Sequence, residues 1–344
     1  MATASDVAKA AGVSISTVSY ALSGKRSISA TTRDKVLKTA EELGYLPHAS
    51  ARMLAAKRSQ IIAVTAPLHQ DTDHTVHMQF AMEVTKSARE CDYDTLLLVH
   101  DDAMEGMRRS AGTALADGIA VLDVDADDPR ADLARGLDYP VVFIGIPHDT
   151  TGLICVDLDF EAAAALAVDR LADAGHASIG LVSHPRITMD RGSNFPLRFL
   201  EGFERRCRER GIAFAVAYPE ATSARRAINE LLTALPGMSG LILNTGSEVA
   251  ADAVPALGAR GRSVPDDVSV IAAGAAYSTE RFAVPLDTIP LDAHASCAAA
   301  VDLLVAAIDR GEREPRTVLI APEYRDFDSV RRAGVAEDVS QASA

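Results

Sequence analysis

His69, His74 and His77, interleaved with Asp71 and Asp73, put three imidazoles and two carboxylates within nine residues. Groups of these types suit a transition metal, a polar ligand held in a cleft, or simply a solvated loop. Spacings of five and three within a loop do not select among the three. No HExxH, GxSxG, P-loop or GxGxxG pattern occurs, so side chains able to do catalysis are present without the spacing that catalysis needs. No enzyme and no cofactor is expected. Cys91, Cys155, Cys207 and Cys297 are widely separated with no CxxC pair, which predicts reduced thiols rather than a disulfide or zinc framework. The N-terminus lacks the basic and apolar regions of a secretory signal, and no apolar run approaches the roughly 20 residues of a membrane span. A cytoplasmic protein without a membrane partner is expected.

Charge is divided unevenly. The chain carries −14 overall, yet residues 1–60 hold nine Lys and Arg against four Asp and Glu, leaving 25 against 44 in the remainder. A small basic module on a large acidic body is what the chain needs if only the module meets phosphate.

The elements that would position these groups follow from periodicity. Thr3 and Asp6 form a capping-box-like start for a first helix carrying Val7, Ala8 and Ala11, and Gly12 ends it. Ser14 starts a second helix with Val18 and Leu22 on one face and Ile15, Ser16, Ser19 and Tyr20 elsewhere. Ser29 starts a third, running to Leu43, with Val36, Leu37, Ala40 and Leu43 inward, before Gly44 and Pro47 stop it. Short helices joined by a tight turn at Gly12-Val13 make a helix-turn-helix. From Ile61 the pattern alternates apolar runs with amphipathic, Ala-rich segments. The runs are IIAVTA, TLLLV, GIAVLDV, PVVFIG, IGLVS, FAVAY, GLILN and VSVIAAG; helices are predicted at Phe160–Ala174, near Asn194–Arg210, from Ser223, from Glu248 and near Ala293–Arg310. The fold class is therefore α/β: an all-α headpiece followed by two doubly wound parallel-sheet subdomains with a cleft between them.

The segment Asp6–Ala55 resembles the headpiece of the LacI–GalR family of transcription regulators. The resemblance rests on DVAxxAGVSxxTVS, the SxxTR start of the third helix, the LGYxPxxxA junction and ARxL. In the body, DAGHASIGLVS (Asp173–Ser183) and VPDDVSVI (Val264–Ile271) are similar to strand signals of the same family. The resemblance implies a headpiece over 1–47, a hinge helix over 48–58, and a core of the periplasmic-binding-protein type over 59–334. In that core the N-subdomain would take 60–157 and 288–315, the C-subdomain 158–287 and 316–334, and 335–344 would be a tail. It further implies a homodimeric repressor that binds a palindromic double-stranded DNA operator and a small-molecule effector in the cleft. The alternative is a small-molecule-binding protein that does not touch DNA.

By the same resemblance Ile15, Ser16 and Tyr20 would read base edges, while Ser14, Thr17, Ser19, Ser29, Thr32 and Arg33 would meet phosphate. Many family members carry Arg in place of Tyr20, so a different base preference is expected there. Arg52 and Lys57 would contact the minor groove or its phosphates, and Leu54 would wedge into it and kink the duplex. In the cleft the sequence departs from the sugar-binding pattern: Phe199, Asn244-Thr245 and Gly274 stand where the family's sugar binders carry Arg, Asn-Asp and Asp. The expected effector wall is Phe199, Asn244, Thr245 and Gly274, joined by His74 and His77.

Overall fold

The computed structural model describes residues 2–23, 28–45, 58–99, 103–220 and 222–334. Three short helices form the N-terminal unit. In α1 (Ala4–Ala11) the Thr3 hydroxyl accepts from the Asp6 amide and the Asp6 carboxylate accepts from the Thr3 amide, a reciprocal cap. Gly12, at φ 66°, ends it. α2 (Ile15–Ser23) starts at Ser14 and α3 (Ala30–Glu42) at Ser29, each serine Oγ accepting a backbone N–H three residues on at 3.1 Å. Val7, Ala8, Ala11, Val18, Ala21, Val36 and Ala40 form the core, and the small residues let the helices cross closely. Leu37 and Leu43, expected inside, are 43% and 41% exposed. Leu37 lies about 100° round the helix from Val36, and Leu43 is already the C-cap of α3, so neither continues the inward stripe.

The first lobe opens with β1 (Ile61–Thr65), α4 (His74–Glu90), β2 (Asp94–Leu98), α5 (Ala103–Thr113), β3 (Gly118–Val121), α6 (Pro129–Gly136), β4 (Val141–Ile144) and β5 (Ile154–Leu158). The second lobe holds α7 (Phe160–Asp173), β6 (Ser178–Val182), α8 (Arg186–Arg191), α9 (Asn194–Arg210) and β7 (Ala213–Ala217). It continues with α10 (Arg225–Ala234), β8 (Gly240–Leu243), α11 (Ser247–Gly258), β9 (Ser269–Ala275) and β10 (Asp287–Pro290). α12 (Ala293–Arg310) and β11 (Arg316–Ile320) then return to the first lobe. The sheets run β11-β5-β4-β3-β1-β2 and β10-β9-β8-β6-β7, and every ladder is parallel. Helices cover both faces, which is why GIAV of β3 and GLIL of β8 are buried throughout.

β5, β10 and β11 fall outside the alternation read from the sequence. Each ends where the chain crosses between lobes, so none is followed by a helix returning to its own sheet. The expected subdomain boundaries change accordingly. Asp287–Pro290 pairs with β9 in the second sheet, and Arg316–Ile320 pairs with β5 in the first. α12 packs Cys297, Ala300, Val301 and Leu304 into the first-lobe core and so delivers the next strand to that sheet's open edge beside β5. Only beyond β11 does the chain rejoin the second lobe, where the Ser329 hydroxyl donates to the Val270 carbonyl and Asp287 accepts from the Ser329 amide.

Candidate functional site

A cavity of about 790 Å³ lies between the lobes, walled by residues at the carboxyl ends of both sets of strands. Parallel sheets place ligand crevices there, because the strand-to-helix turns converge at that edge. First-lobe walls come from the loop after β3, the end of β5 and the first turn of α4. The β3 loop is pinned by Arg130, buried on α6, which donates to the Leu122 carbonyl at 2.9 Å and the Asp123 carbonyl at 2.5 Å while Asp128 balances its charge. Asp73 caps α4, accepting from the Thr75 and Val76 amides, and so fixes His74 and His77 on the wall. Burial holds the His77 imidazole below its ordinary pKa, and its Nε2 has no hydrogen-bond partner among the described residues.

The second lobe supplies aromatic faces. Phe160, at the start of α7, and Phe195 pack with centroids 5.4 Å apart, and His184 meets Phe195 edge-on at 4.9 Å. Burial pushes the His184 imidazole down to about 4, against the pull of Asp71 and Asp73. Gly274 lines the cavity at φ 66°, and a Cβ there would lie 2.8 Å from Asn244 Nδ2 and 3.1 Å from Phe160. Both the backbone and the space demand glycine.

Arg191 ties the lobes together. From the end of α8 its guanidinium meets Asp71 at 3.3 Å, Asp123 at 3.2 Å and Asp125 at 2.6 Å, all from the first lobe. Burial works against the Arg191 charge, but the three carboxylates more than offset it and its pKa is raised. Backbone contacts reinforce the joint: the Ala126 amide donates to the Gly192 carbonyl at 2.7 Å, and Asn194 Nδ2 donates to the Ile146 carbonyl. At the β5–α7 crossover Arg198 donates to Asp157 at 2.7 Å; burial nevertheless pushes the Asp157 carboxyl up to about 7.

His74, His77, Thr245 and Gly274 thus line the cavity as expected from the sequence, whereas Phe199 and Asn244 do not. Phe199 is wholly buried with Phe203 and Cys207, which follow at four-residue steps on the inner face of α9. Asn244 is wholly buried as well, its Nδ2 donating to the Ala273 carbonyl at 2.9 Å, so it staples β8 to β9 beneath Gly274. No three His, Cys, Asp or Glu side chains converge in a metal-holding group among the described residues. His69 instead approaches Asp123, at 3.7 Å. Asp123, Asp157, His184 and Arg191 were not anticipated. The first three stand at or just beyond the ends of parallel strands, a placement that could have singled them out; Arg191 carried no such signal.

On the headpiece, Ile15 is 55% exposed, and Ser14, Ser16 and Ser19 are exposed beside it. Tyr20 and Thr17 are half-buried, with the Thr17 hydroxyl 2.8 Å from that of Ser14. Ser29 and Thr32 repeat the pairing at 2.7 Å, and Arg33 is exposed in the next position. Two serine-capped helix N-termini are therefore presented with their positive dipole ends, a combination suited to phosphate. Arg52, Leu54 and Lys57, assigned to the hinge, lie outside the described residues, as does the tail 335–344.

Comparison with known proteins agrees with this layout. Residues 3–48 match the family described as bacterial regulatory proteins, lacI family, and residues 168–330 match a periplasmic binding protein-like domain. Catabolite control protein A of Priestia megaterium is 28% identical over 274 residues, 77% of this chain and 80% of its own. The HTH-type transcriptional repressor PurR of Mannheimia succiniciproducens is 27% identical over 347 residues, covering 96% and 99%. Among solved structures, a Lac repressor dimer bound to operator and the anti-inducer ONPF superposes with TM-score 0.78 at 23% identity, over 95% of this chain and 98% of that one. The regulator CelR in complex with cellobiose gives 0.66 at 23%, over 96% and 100%. These relatives are transcription regulators, not enzymes. Among the described residues no helix is long and apolar enough to cross a membrane.

Proposed function

Because the chain belongs to the lacI family of bacterial regulatory proteins, a family of DNA-binding transcription regulators, we propose that it acts as a cytoplasmic, homodimeric repressor whose palindromic operator is released or gripped according to a small molecule in the inter-lobe cavity. The observation that carries the reading is the headpiece face. Ile15, Ser16 and Ser19 stand out from α2 while Val18 and Ala21 anchor it, beside two capped N-termini aimed for phosphate. Ile15, Ser16 and Tyr20 read the major groove; Ser14, Thr17, Ser19, Ser29, Thr32 and Arg33 hold the backbone. Arg52, Leu54 and Lys57 complete the hold in the minor groove.

Dimerisation is supported by an exposed apolar patch on the first lobe. Met78 and Met82 lie one turn apart on α4, Leu97 lies on β2, the outermost strand of its sheet, and Val99 follows just beyond its end. An edge strand flanked by apolar side chains is a surface that a second copy can cover. The cavity volume suits a ligand of disaccharide size, as does the cellobiose complex of the CelR relative. Selection of bound DNA from a random pool, followed by sedimentation of the complex, tests the proposal. It requires a two-fold symmetric consensus and two chains per duplex; a single chain binding a half-site as tightly as the whole would overturn it.

A further inference from the structure

We propose that the cleft takes a cation: a small polyol bearing one or more amines, of the amino-sugar class. The inference rests on the reading of the cavity as an effector site and narrows what enters it. Asp71, Asp73, Asp123, Asp157 and Glu248 line the cavity, and Asp125 stands behind Arg191. Against these six carboxylates are two guanidiniums, Arg191 and Arg198, a difference of four negative charges. With Asp157 protonated, as its raised pKa of about 7 allows, three remain.

Neither guanidinium is available to a ligand. Arg191 is engaged by Asp71, Asp123 and Asp125, and Arg198 by Asp157 and the Leu158 carbonyl. A phosphate or carboxylate entering the cavity therefore meets an excess of like charge and, among the described residues, no uncommitted arginine in the wall. Five helices, α4, α7, α8, α9 and α11, begin at the cavity wall, and each contributes about half a positive charge at most. Their sum of roughly 2.5 falls short of an excess of three or four, and Asp73 and Asp159 already cap two of them. The field inside favours a positive group, and it strengthens as the ligand displaces water.

Independent features indicate the rest of the molecule. Thr245, 5% exposed, lines the cavity with its Oγ1 lacking any hydrogen-bond partner among the described residues, and the same is true of the Tyr277 hydroxyl and His77 Nε2. Buried polar atoms left in this state are costly unless a ligand meets them, which calls for hydroxyls. Phe80, Phe195 and Tyr277 offer rings that accept the apolar face of a pyranose and attract an adjacent ammonium, with Phe160 buried behind Phe195.

Matched disaccharides separate the alternatives: the β-1,4 dimer of glucosamine, which is cationic at about pH 6, neutral cellobiose, and anionic cellobionate. Calorimetry on the full chain should give the glucosamine dimer at least tenfold tighter binding than cellobiose and no binding of cellobionate. Glu248→Gln and Thr245→Val should each weaken the dimer severalfold, with melting curves used to exclude misfolding. Bound glucosamine dimer should also change operator affinity. Cellobiose or cellobionate binding as tightly as the glucosamine dimer, with loss on Thr245→Val, would overturn the cation and leave the effector site standing. Failure of all three to bind overturns the amino-sugar assignment. Glucosamine-dimer binding indifferent to both substitutions and without effect on the operator would remove the effector reading itself.

Discussion

His184 illustrates how one residue couples the cavity to pH. Its imidazole is held at about 4 because burial penalises the cation more than Asp71 and Asp73 favour it. In the unfolded chain it takes its proton near pH 6.5. Between about pH 6.5 and 4 the unfolded state binds more protons, so the neutral imidazole's contribution is present above that window and is lost as pH falls through it. His184→Gln should therefore lessen the drop in urea midpoint between about pH 7 and 5; an undiminished drop counts against the assignment. On the headpiece, Tyr20 is the informative position. A phenol cannot make the bidentate contact to guanine that an arginine makes, which is worth about 1–3 kcal/mol of discrimination. Tyr20→Arg should thus change the preferred base at one position in each half-site, whereas Arg33→Ala should weaken all sequences alike. An unchanged consensus selected by the Tyr20→Arg variant would show that the residue packs rather than reads.

At the level of elements, the closest helix contact in the second lobe hangs on Gly202 of α9. A Cβ added there would lie 2.7 Å from Glu161 Cα and 2.8 Å from its carbonyl oxygen, both backbone atoms of α7 that cannot swing away. Gly202→Ala should force the helices apart at a cost of about 1–3 kcal/mol, readable as a lower urea midpoint with DNA affinity of the surviving folded fraction unchanged. Capping and turn chemistry at Thr3, Ser14, Ser29 and Gly12 made the headpiece helices legible, because each signal is local. β1, β2, β3, β6, β7 and β8, each with a following helix, were legible for the same reason, since alternation repeats over about thirty residues, and β4 and β9 were legible from their own apolar runs, PVVFIG and VSVIAAG. β5, β10 and β11 were not, since each breaks that repeat at a crossover. The cavity was half legible. His74, His77, Thr245 and Gly274 could be placed from strand ends and family pattern. Phe199 could not, because which face of α9 meets the core depends on its contact with α7, nor could Arg191, whose partners lie 66 to 120 residues earlier.

For the whole molecule, the Arg191 cluster sets how firmly the lobes close. Arg191→Met leaves Asp71, Asp123 and Asp125 facing one another without a counter-charge. The side chains are mostly but not wholly buried, so the loss should be about 2 kcal/mol rather than the 3–5 of a fully buried pair. It should appear as a lower melting temperature together with a larger radius of gyration in solution scattering. A variant that scatters like the parent would mean that the backbone contacts at Ala126 and Asn194 suffice. The three crossovers have a different consequence, felt while the chain is being made. By the time β5 leaves the ribosome the first lobe has five of its six strands, but it lacks α12 across one face and β11 along one edge. Another 162 residues must emerge before Ile320 does, roughly 10–30 s at ordinary elongation rates. Throughout that interval Ile62, Val64 and Val156 lack the apolar helix that will cover them, and β5 offers an open edge. The nascent chain is thus most exposed to aggregation and to chaperones in mid-synthesis, and a transcript cut short after the second lobe would yield a first lobe that cannot close.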